Sequence, residues 1–340
     1  MTAGVTTPPR STVVDVHSHF MPLGLSEVVG SWDDPRWPHV VADGQAGRIM
    51  RGADVFRPVT PACWDASARL ESIDSDGYDI QVVSPVPVSL TYWAPGDEAL
   101  SYARVQNDAL AELASASSGR IVALGSVPLQ DTDLAIGEME RAFGELGMAG
   151  IEIGTTVGSR ELDDAELLPF FVAAAELGVP LFVHPIDGGG AVRRSDLLYD
   201  FGVGMLADTA LAASALVFGG VLDRCPGLKI ALSHGCGAFT WMFPRLRFMA
   251  GNLLGADGAA LDELVSRLWV DTLVFDPAHI PLLIERYGDG HIMLGSDAPF
   301  LPTHATRARD VIDGAHARGT LDETQRSALL GLNALAFLGA

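Results

Sequence analysis

Short runs rich in Val, Ile and Leu alternate along the chain with longer stretches that repeat apolar residues at helical spacing. The short runs predict eight β-strands, because β-branched residues favour extended backbone. The longer stretches predict helices, and several begin at an Asp that can cap the first turn. The predicted strands are Thr12–Val16, Asp79–Val83, Ile121–Gly125, Gly150–Ile153, Pro180–Val183, Lys229–Leu232, Trp269–Asp271 and Ile292–Gly295. The predicted helices are Ala66–Asp76, Asp97–Ser117, Asp133–Leu146, Asp164–Leu177, Ala207–Asp223, Pro277–Tyr287, Thr306–Arg318 and Asp322–Leu338.

This alternation predicts an α/β fold, a (β/α)8 TIM barrel. The alternative is a doubly wound open sheet that binds a dinucleotide. That fold carries a Gly-x-Gly-x-x-Gly turn after its first strand. Here the first strand is followed by His17-Ser18-His19, so the sequence favours the barrel.

The repeat is uneven between the first strand and the helix that begins at Ala66. Residues about 20–64 are rich in Trp, Pro, Gly and Asp, and the segment is far longer than an ordinary βα loop. We expect an inserted lid or subdomain over the C-terminal mouth of the barrel, where such barrels keep their active sites. The polar, Pro-rich residues 1–11 predict a disordered tail, which leaves residues 12–340 as one barrel domain.

Composition narrows the classes of function. The chain has 340 residues, with 43 Asp and Glu against 22 Lys and Arg, and a formal net charge of −21. Such an acidic chain, without a basic stripe, is repelled by nucleic acid and by anionic membranes. We therefore expect neither as a partner.

The cysteines and apolar runs bear on the cellular compartment. Cys63, Cys225 and Cys236 are odd in number and widely spaced, a pattern that argues against a disulfide framework or a structural zinc site. The N-terminus lacks the apolar core of a signal peptide, and the apolar run Leu211–Leu222 is too short to span a bilayer. These features predict a cytoplasmic location.

Candidate metal ligands follow the C-terminal ends of the predicted strands. His17 and His19 lie two apart after the first strand, so their side chains point to the same side. His184 and His234 follow the fifth and sixth strands, and Asp297 follows the eighth. Because these strand ends meet at one rim of a barrel, the side chains are expected to converge. Three imidazoles and a carboxylate suit Zn²⁺ or a related divalent ion, with room for a water.

The position of the only lysine bears on the number of metals. Two-metal sites of this kind commonly need a carbamylated Lys at the end of the fourth strand, but that strand ends in Ile153-Gly154-Thr155 and Lys229 begins the sixth. We therefore expect one divalent metal, with Zn²⁺ the first expectation and Mn²⁺ an alternative. His234 is then free of ligation, and a histidine beside the metal's water is suited to take its proton near pH 7.

From about Val14 to Leu338 the chain resembles the mononuclear branch of the amidohydrolase superfamily, of the amidohydrolase-2 type. Within it, the chain is most similar to the aminocarboxymuconate-semialdehyde decarboxylases. The resemblance implies an amidohydrolase-type barrel and a metal-dependent, non-oxidative carboxy-lyase without an organic cofactor. The matching segments are Asp15–His19, Val55–Arg57, Cys63–Asp65, Ser84–Val88, Tyr92–Ala94, Phe182–Pro185, His234–Phe239, Asp297–Phe300 and Asn333–Gly339.

The resemblance also implies roles for individual residues. Two arginines would bind the carboxylates of a small-molecule substrate, and one of them would reach the site from a neighbouring subunit, which makes a homodimer the active unit. The implied residues are His17, His19, His184 and Asp297 as metal ligands, His234 with Asp297 in catalysis, and Arg57, Arg245 and Phe300 in substrate binding, with Arg245 donated across the interface.

Several readings remain open. Ile186, Leu198 and Phe201 stand where the family has other residues at the wall of the pocket, so a different aromatic or unsaturated di-acid is an alternative substrate. Hydrolysis or hydration by the same activated water is an alternative reaction. A catalytically inactive barrel that serves as a binding protein is a third hypothesis. It is disfavoured because every metal and base position holds a competent residue.

Overall fold

The protein is described by a computed structural model that covers residues 12–30, 32, 34–194, 196–301 and 308–339. The predicted tail over residues 1–11 lies outside the described residues. The strands are β1 (Val14–Phe20), β2 (Pro38–Asp43), β3 (Ala46–Arg51), β4 (Asp54–Val59), β5 (Ile80–Pro85), β6 (Ile121–Gly125), β7 (Gly150–Gly154), β8 (Thr156–Val157), β9 (Arg160–Glu161), β10 (Leu181–His184), β11 (Ile230–Leu232), β12 (Trp269–Asp271) and β13 (Ile292–Met293).

Helices follow most of the barrel strands. The α-helices are α1 (Leu25–Val29), α2 (Ala66–Asp76), α3 (Gly96–Ala116), α4 (Thr132–Gly144), α5 (Leu168–Leu177), α6 (Leu197–Tyr199), α7 (Met205–Phe218), α8 (Val221–Arg224), α9 (Ser233–Cys236), α10 (Phe239–Leu254), α11 (Gly258–Ser266), α12 (Ile280–Tyr287), α13 (Ala308–Ala317), α14 (Glu323–Ser327) and α15 (Asn333–Leu338). Two π-helical segments, Asp200–Gly204 and Ala328–Leu332, join α6 to α7 and α14 to α15.

The eight strands of the main sheet pair in the order β1-β5-β6-β7-β10-β11-β12-β13. Each neighbouring pair is parallel. The chain beyond β13 returns to β1, because the Val16 amide donates to the Leu294 carbonyl at 2.9 Å and the Asp297 amide donates to the His17 carbonyl at 2.8 Å. The prediction of a (β/α)8 barrel is therefore confirmed.

The residues between β1 and α2 form a small antiparallel sheet, β2-β3-β4. Its buried face packs through Trp37 and Ile49 against Val86 and Tyr102, which belong to the loop after β5 and to α3. Loops that follow the strands lie at the C-terminal end of the barrel. The small sheet therefore lies at the rim where the predicted ligands meet, and its strand β4 carries Arg57 to that rim.

The helices α10 and α11 were not predicted. Pro244 lies inside α10, and the outer face of this helix exposes Trp241 and Phe248. Proline inside a helix and apolar residues on its solvent face both break the usual amphipathic pattern. The sequence pattern therefore did not reveal this element.

One helical stretch, Leu197–Phe218, is long and apolar enough to cross a membrane by length and composition alone. This stretch is longer than the apolar run Leu211–Leu222 that the sequence indicated. The reason is that α6, a π-helical segment and α7 follow one another directly and form one helical stretch. The side chains of Ala213 and Leu216 are fully buried in the main hydrophobic core. Packing onto the barrel therefore explains the apolar residues on the buried side of α7.

Candidate metal centre and active site

The four predicted metal ligands come together at the rim of the barrel. One ligand atom from each of His17, His19, His184 and Asp297 lies within 4.8 Å of all the others. His17 Nε2 lies 3.1 Å from His19 Nε2, and Asp297 Oδ1 lies 3.6 Å and 3.2 Å from these two atoms. In a tetrahedral site with bonds of about 2.0–2.1 Å, donor atoms lie about 3.3 Å apart. These separations therefore fit one divalent cation.

The hydrogen bonds of the three imidazoles orient their free nitrogens. In each ring Nδ1 faces an oxygen that accepts a hydrogen bond from it, so Nδ1 carries a proton and Nε2 is the nitrogen left to bind a cation. The acceptors are Asp271 Oδ2 for His17 at 2.7 Å, the Pro85 carbonyl for His19 at 2.9 Å and the Pro185 carbonyl for His184 at 2.6 Å. Three Nε2 atoms are therefore set to bind a cation.

His184 gives independent support for a cation. Its Nε2 atom is buried and makes no hydrogen bond within the described part of the chain. Buried polar atoms nearly always have a partner, because leaving one unpaired is costly. A bound cation would supply that partner.

The charge states of Asp297 and His184 suit ligation, whereas His17 must first lose a proton. Burial alone would raise the pKa of Asp297, but its close contacts with the imidazoles of His19 and His17 lower it to about 2. Burial lowers the pKa of His184 well below its ordinary value. Burial opposes a charge on His17 as well, yet the hydrogen bond to Asp271 raises its pKa to about 9. Cation binding would therefore release a proton from His17.

His234 lies on a tight turn after β11. It adopts the left-handed conformation with φ of 58°, and Gly235 follows with φ of 61°. A Cβ atom at position 235 would lie 2.5 Å from Cγ1 of Val274, so the turn requires glycine there. The Asp271 carboxylate accepts hydrogen bonds from the amides of His234, at 3.0 Å, and of Gly235, at 2.9 Å. These contacts fix the direction in which the His234 side chain leaves the backbone.

The His234 ring lies beside the ligand group but is not one of its four members. Its centre is 5.0 Å from that of His184 and 5.4 Å from that of His17. Burial, with the charge of His17, lowers the pKa of His234 to about 4. The ring is therefore neutral near pH 7 and able to accept a proton.

A cavity of about 360 Å³ opens in front of His234. Its wall is largely apolar, with a few polar side chains. The lining residues are Arg57, Phe201, Gly202, Met205, Leu206, His234, Gly237, Leu273, Val274, Phe275, His279, Asp297 and Leu301. Its dimensions suit a small organic molecule.

Arg57 and Phe300 lie next to one another; Arg57 lines this cavity, and both residues line a narrow neighbouring pocket. The guanidinium carbon of Arg57 is 4.4 Å from the centre of the Phe300 ring and 4.9 Å from that of Phe201. Within the described residues its only hydrogen bond is a long one, 3.4 Å from Nη2 to the Phe300 carbonyl. Most of its donors are thus left to bind an anion. The Phe300 ring also lies 5.5 Å from that of His19.

The remaining candidates lie elsewhere. Arg245 is exposed on α10 and is not part of the cavity wall of its own chain. Ile186 and Phe201 line a narrow extension of the cavity beside His184. Leu198 was predicted to lie in the wall of the pocket, and this prediction is wrong. Its side chain is 73% exposed and lies outside the cavity wall. The short helix α6 turns it away from the barrel.

Sequence reasoning missed two buried carboxylates that surround the ligands. Asp271 accepts a hydrogen bond from His17, and Glu152 Oε2 lies 3.7 Å from His19 Nδ1. Burial raises the pKa of Glu152 to about 8. The position of Asp271 at the end of a predicted strand was a usable signal, whereas that of Glu152 inside a strand was not.

Comparison with known proteins agrees with this geometry. The sequence profile of the family described as "Amidohydrolase" matches residues 14–340. The chain is 35% identical over 337 residues to a 2-amino-3-carboxymuconate-6-semialdehyde decarboxylase of Dictyostelium discoideum, and the match covers 97% of this chain and 92% of the relative.

Solved structures show the same fold. A 5-carboxyvanillate decarboxylase of Sphingomonas paucimobilis has a TM-score of 0.79 at 22% identity, with 97% of this chain and 99% of that chain covered. A dihydroxybenzoic acid decarboxylase of a Polaromonas species, solved with bound manganese, has a TM-score of 0.73 at 20% identity, with 97% of both chains covered. Together with the match along nearly the whole sequence, these findings show that the chain belongs to the amidohydrolase family, among its metal-dependent carboxy-lyases.

Proposed function

We propose that this protein is a non-oxidative decarboxylase of a carboxylated muconate semialdehyde of the aminocarboxymuconate type. The observation that carries the proposal is the position of Arg57. Its guanidinium lies against the rings of Phe201 and Phe300 and lines the same cavity as His234 and Asp297. A planar fork of donors beside two aromatic rings suits a flat, conjugated carboxylate. The similarity to the Dictyostelium relative supports this substrate class.

The metal would be held by His17, His19, His184 and Asp297. We propose that it is Zn²⁺, because three imidazoles and one carboxylate suit that ion. Manganese in a structural relative makes Mn²⁺ the alternative. When bound, the cation supplies positive charge that acidifies water and stabilises negative charge developing on substrate oxygens. The neighbouring apolar wall excludes bulk water, which strengthens every charge interaction in the cavity.

Arg57 binds a substrate carboxylate and orients the carbon skeleton toward His234. Two parallel N–H donors fix the plane of the carboxylate as well as its position. The rings of Phe201 and Phe300, both close to the guanidinium, then pack against the conjugated chain. The long hydrogen bond to the Phe300 carbonyl is weak enough to be exchanged for a substrate oxygen.

His234 carries the proton that the reaction consumes. Its Nδ1 faces Ser233 Oγ at 3.4 Å, so we assign Nε2 to proton transfer. His234 takes a proton from water and delivers it to the carbon that bears the departing carboxylate, and the hydroxide that is left takes up a proton from solvent. The bond between that carbon and the carboxylate then breaks, CO₂ leaves, and the electron pair of the bond restores the conjugated system. One proton is consumed for each CO₂ released, and no oxidant is needed.

We propose a homodimer as the active unit, with Arg245 donated across the interface as a second carboxylate ligand. Two observations support this proposal. Arg245 does not line the cavity of its own chain, and its helix exposes Trp241, which is 81% exposed, and Phe248, which is 64% exposed. A large exposed apolar patch is typical of a protein interface. We also propose a cytoplasmic location, in keeping with three free, buried cysteines.

Decarboxylation of an aromatic di-acid is the second candidate function. Ile186 and Phe201, which depart from the family pattern, border the narrow part of the cavity beside His184. These two residues would change which substrate shapes the cavity accepts, and they leave the four metal-ligand residues unchanged. Hydrolysis or hydration remains the alternative reaction.

A substrate panel tests the proposal. Purified enzyme loaded with Zn²⁺ or Mn²⁺ is offered freshly generated aminocarboxymuconate semialdehyde, 5-carboxyvanillate and 2,6-dihydroxybenzoate, and loss of each absorbance is followed beside CO₂ release. We expect kcat/KM for the muconate semialdehyde to exceed those for both aromatic acids by at least about tenfold. Higher kcat/KM for an aromatic acid would move the assignment to that class, and turnover without CO₂ would reject decarboxylation.

A further inference from the structure

Asp271 is a fully buried carboxylate at the end of β12. Both of its oxygens are used, each by two N–H donors. Oδ2 accepts from His17 Nδ1 at 2.7 Å and from the His234 amide at 3.0 Å, and Oδ1 accepts from the Gly235 amide at 2.9 Å and the Leu273 amide at 3.0 Å. A single side chain thus holds a proposed metal ligand and the backbone of the proposed base.

We propose that Asp271 is a positioning residue that sets the geometry of the cation and of the base together. The proposal rests on the roles proposed above for His17 and His234. Through His17 it fixes the proton on Nδ1, which leaves Nε2 free to bind the cation. Through the amides of His234 and Gly235 it holds the left-handed turn from which the base projects. The distance between cation and base therefore depends on one carboxylate.

The surroundings of Asp271 leave it little freedom to move. A Cβ atom at position 295 would lie 2.7 Å from Cβ of Asp271 and 3.0 Å from Cβ of His17. Gly295 therefore allows β12 and β1 to bring these two side chains together. The left-handed backbone at His234 is unfavourable for a residue with a side chain, so it persists only where surrounding contacts impose it. The two amide hydrogen bonds to Asp271 are such contacts.

Glu152 provides a matched control. It is also a fully buried carboxylate near a ligand, since its Oε2 lies 3.7 Å from His19 Nδ1. However, that nitrogen already has the Pro85 carbonyl as its acceptor, and Glu152 accepts a hydrogen bond from the Ser84 hydroxyl. Glu152 therefore shares the burial of Asp271 and its closeness to a proposed ligand, without its link to His234.

The test compares Asp271→Asn with Glu152→Gln in the full-length protein. An amide can serve only one of the two donor pairs that the Asp271 carboxylate serves, because its nitrogen donates. For Asp271→Asn we expect Zn²⁺ affinity, measured by chelator competition, to fall about 10- to 100-fold, as for the loss of other partners of ligating histidines. We expect kcat at saturating Zn²⁺ to fall at least a further tenfold. Glu152→Gln should change each quantity less than about threefold.

Nuclear magnetic resonance of the zinc-loaded wild-type protein with ¹⁵N-labelled histidine gives a readout that needs neither a variant nor a substrate. We expect the His17 ring to carry its proton on Nδ1 and to bind zinc through Nε2. Zinc bound through Nδ1 would overturn the proposal. So would Asp271→Asn with wild-type Zn²⁺ affinity, or with wild-type kcat once zinc is saturating. Because affinity and ring protonation do not depend on the substrate, failure of the proposed reaction would be told apart from failure of this inference.

Discussion

The rings of His184 and His234 lie 5.0 Å apart and meet at 70°, yet their surroundings give them different chemistry. His184 Nε2 points into the ligand group and is buried without a hydrogen-bond partner in the described chain. His234 lies outside that group and lines the cavity. One histidine is placed to hold a cation and the other to handle a proton, so the two should respond differently to substitution.

His184→Ala should abolish stable metal binding. It removes one of four ligand side chains, and loss of an outer-shell partner alone typically costs roughly 10- to 100-fold in affinity. We expect Zn²⁺ affinity to fall at least about 100-fold, measured by chelator competition and by metal content after gel filtration. His39→Ala, on the small sheet, is the control and should bind as the wild type does. Stoichiometric zinc in His184→Ala would show that the ligand set is wrong.

His234→Asn should keep the metal and lose turnover. The base contributes to proton transfer and not to the ligand group, and general acid–base catalysis typically supplies about 10²- to 10⁴-fold in rate. We expect kcat to fall within that range while zinc content stays near one equivalent. A kcat within tenfold of wild type, with zinc in place, would reject His234 as the base.

Arg57→Lys tests whether the fork of the guanidinium is needed. Lysine keeps the charge but cannot donate two parallel hydrogen bonds to a carboxylate, so kcat/KM should fall roughly 10- to 100-fold. Arg48→Lys, on the exposed part of β3, makes the same chemical change away from the cavity and should leave kcat/KM unaltered. Equal kcat/KM for Arg57→Lys and the wild type would show that Arg57 does not bind a substrate carboxylate through two parallel hydrogen bonds.

Arg245 can be tested by mixing inactive subunits. Arg245→Ala and His234→Asn should each be inactive as homodimers. In a mixed dimer, one site combines the intact His234 of one chain with the intact Arg245 of the other. After subunit exchange we therefore expect recovery of about a quarter of wild-type activity, from one competent site in half of the dimers. Light scattering checks that both variants remain dimers, and absence of any recovery would contradict donation across the interface.

The barrel and the ligand group were predictable from the sequence because a few simple rules fix them. Alternating strand and helix patterns indicate the fold, and a barrel brings the C-terminal ends of its strands to one rim. The sequence could therefore assign four residues that are spread along the chain to one metal site, namely His17, His19, His184 and Asp297. The same rule applied to Asp271 would have placed it near them.

Other features depend on contacts that no local pattern records. The role of Asp271 depends on the left-handed turn at His234, and the orientation of Leu198 depends on how α6 packs. The C-terminal segment was predicted as one helix over Asp322–Leu338, but a π-helical segment interrupts it at Ala328–Leu332. Gly331 packs there against the backbone of Thr12, which is a tertiary contact with the start of the barrel.

Metal-dependent CO₂ release in the absence of oxygen tests the central claim most directly. The enzyme is stripped with a chelator, divided, and reloaded with Zn²⁺ or Mn²⁺, and CO₂ released from aminocarboxymuconate semialdehyde is measured against substrate consumed. The account predicts one CO₂ for each substrate molecule, loss of activity on stripping and recovery on reloading. Substrate consumption without CO₂, or undiminished activity in the stripped enzyme, would contradict it.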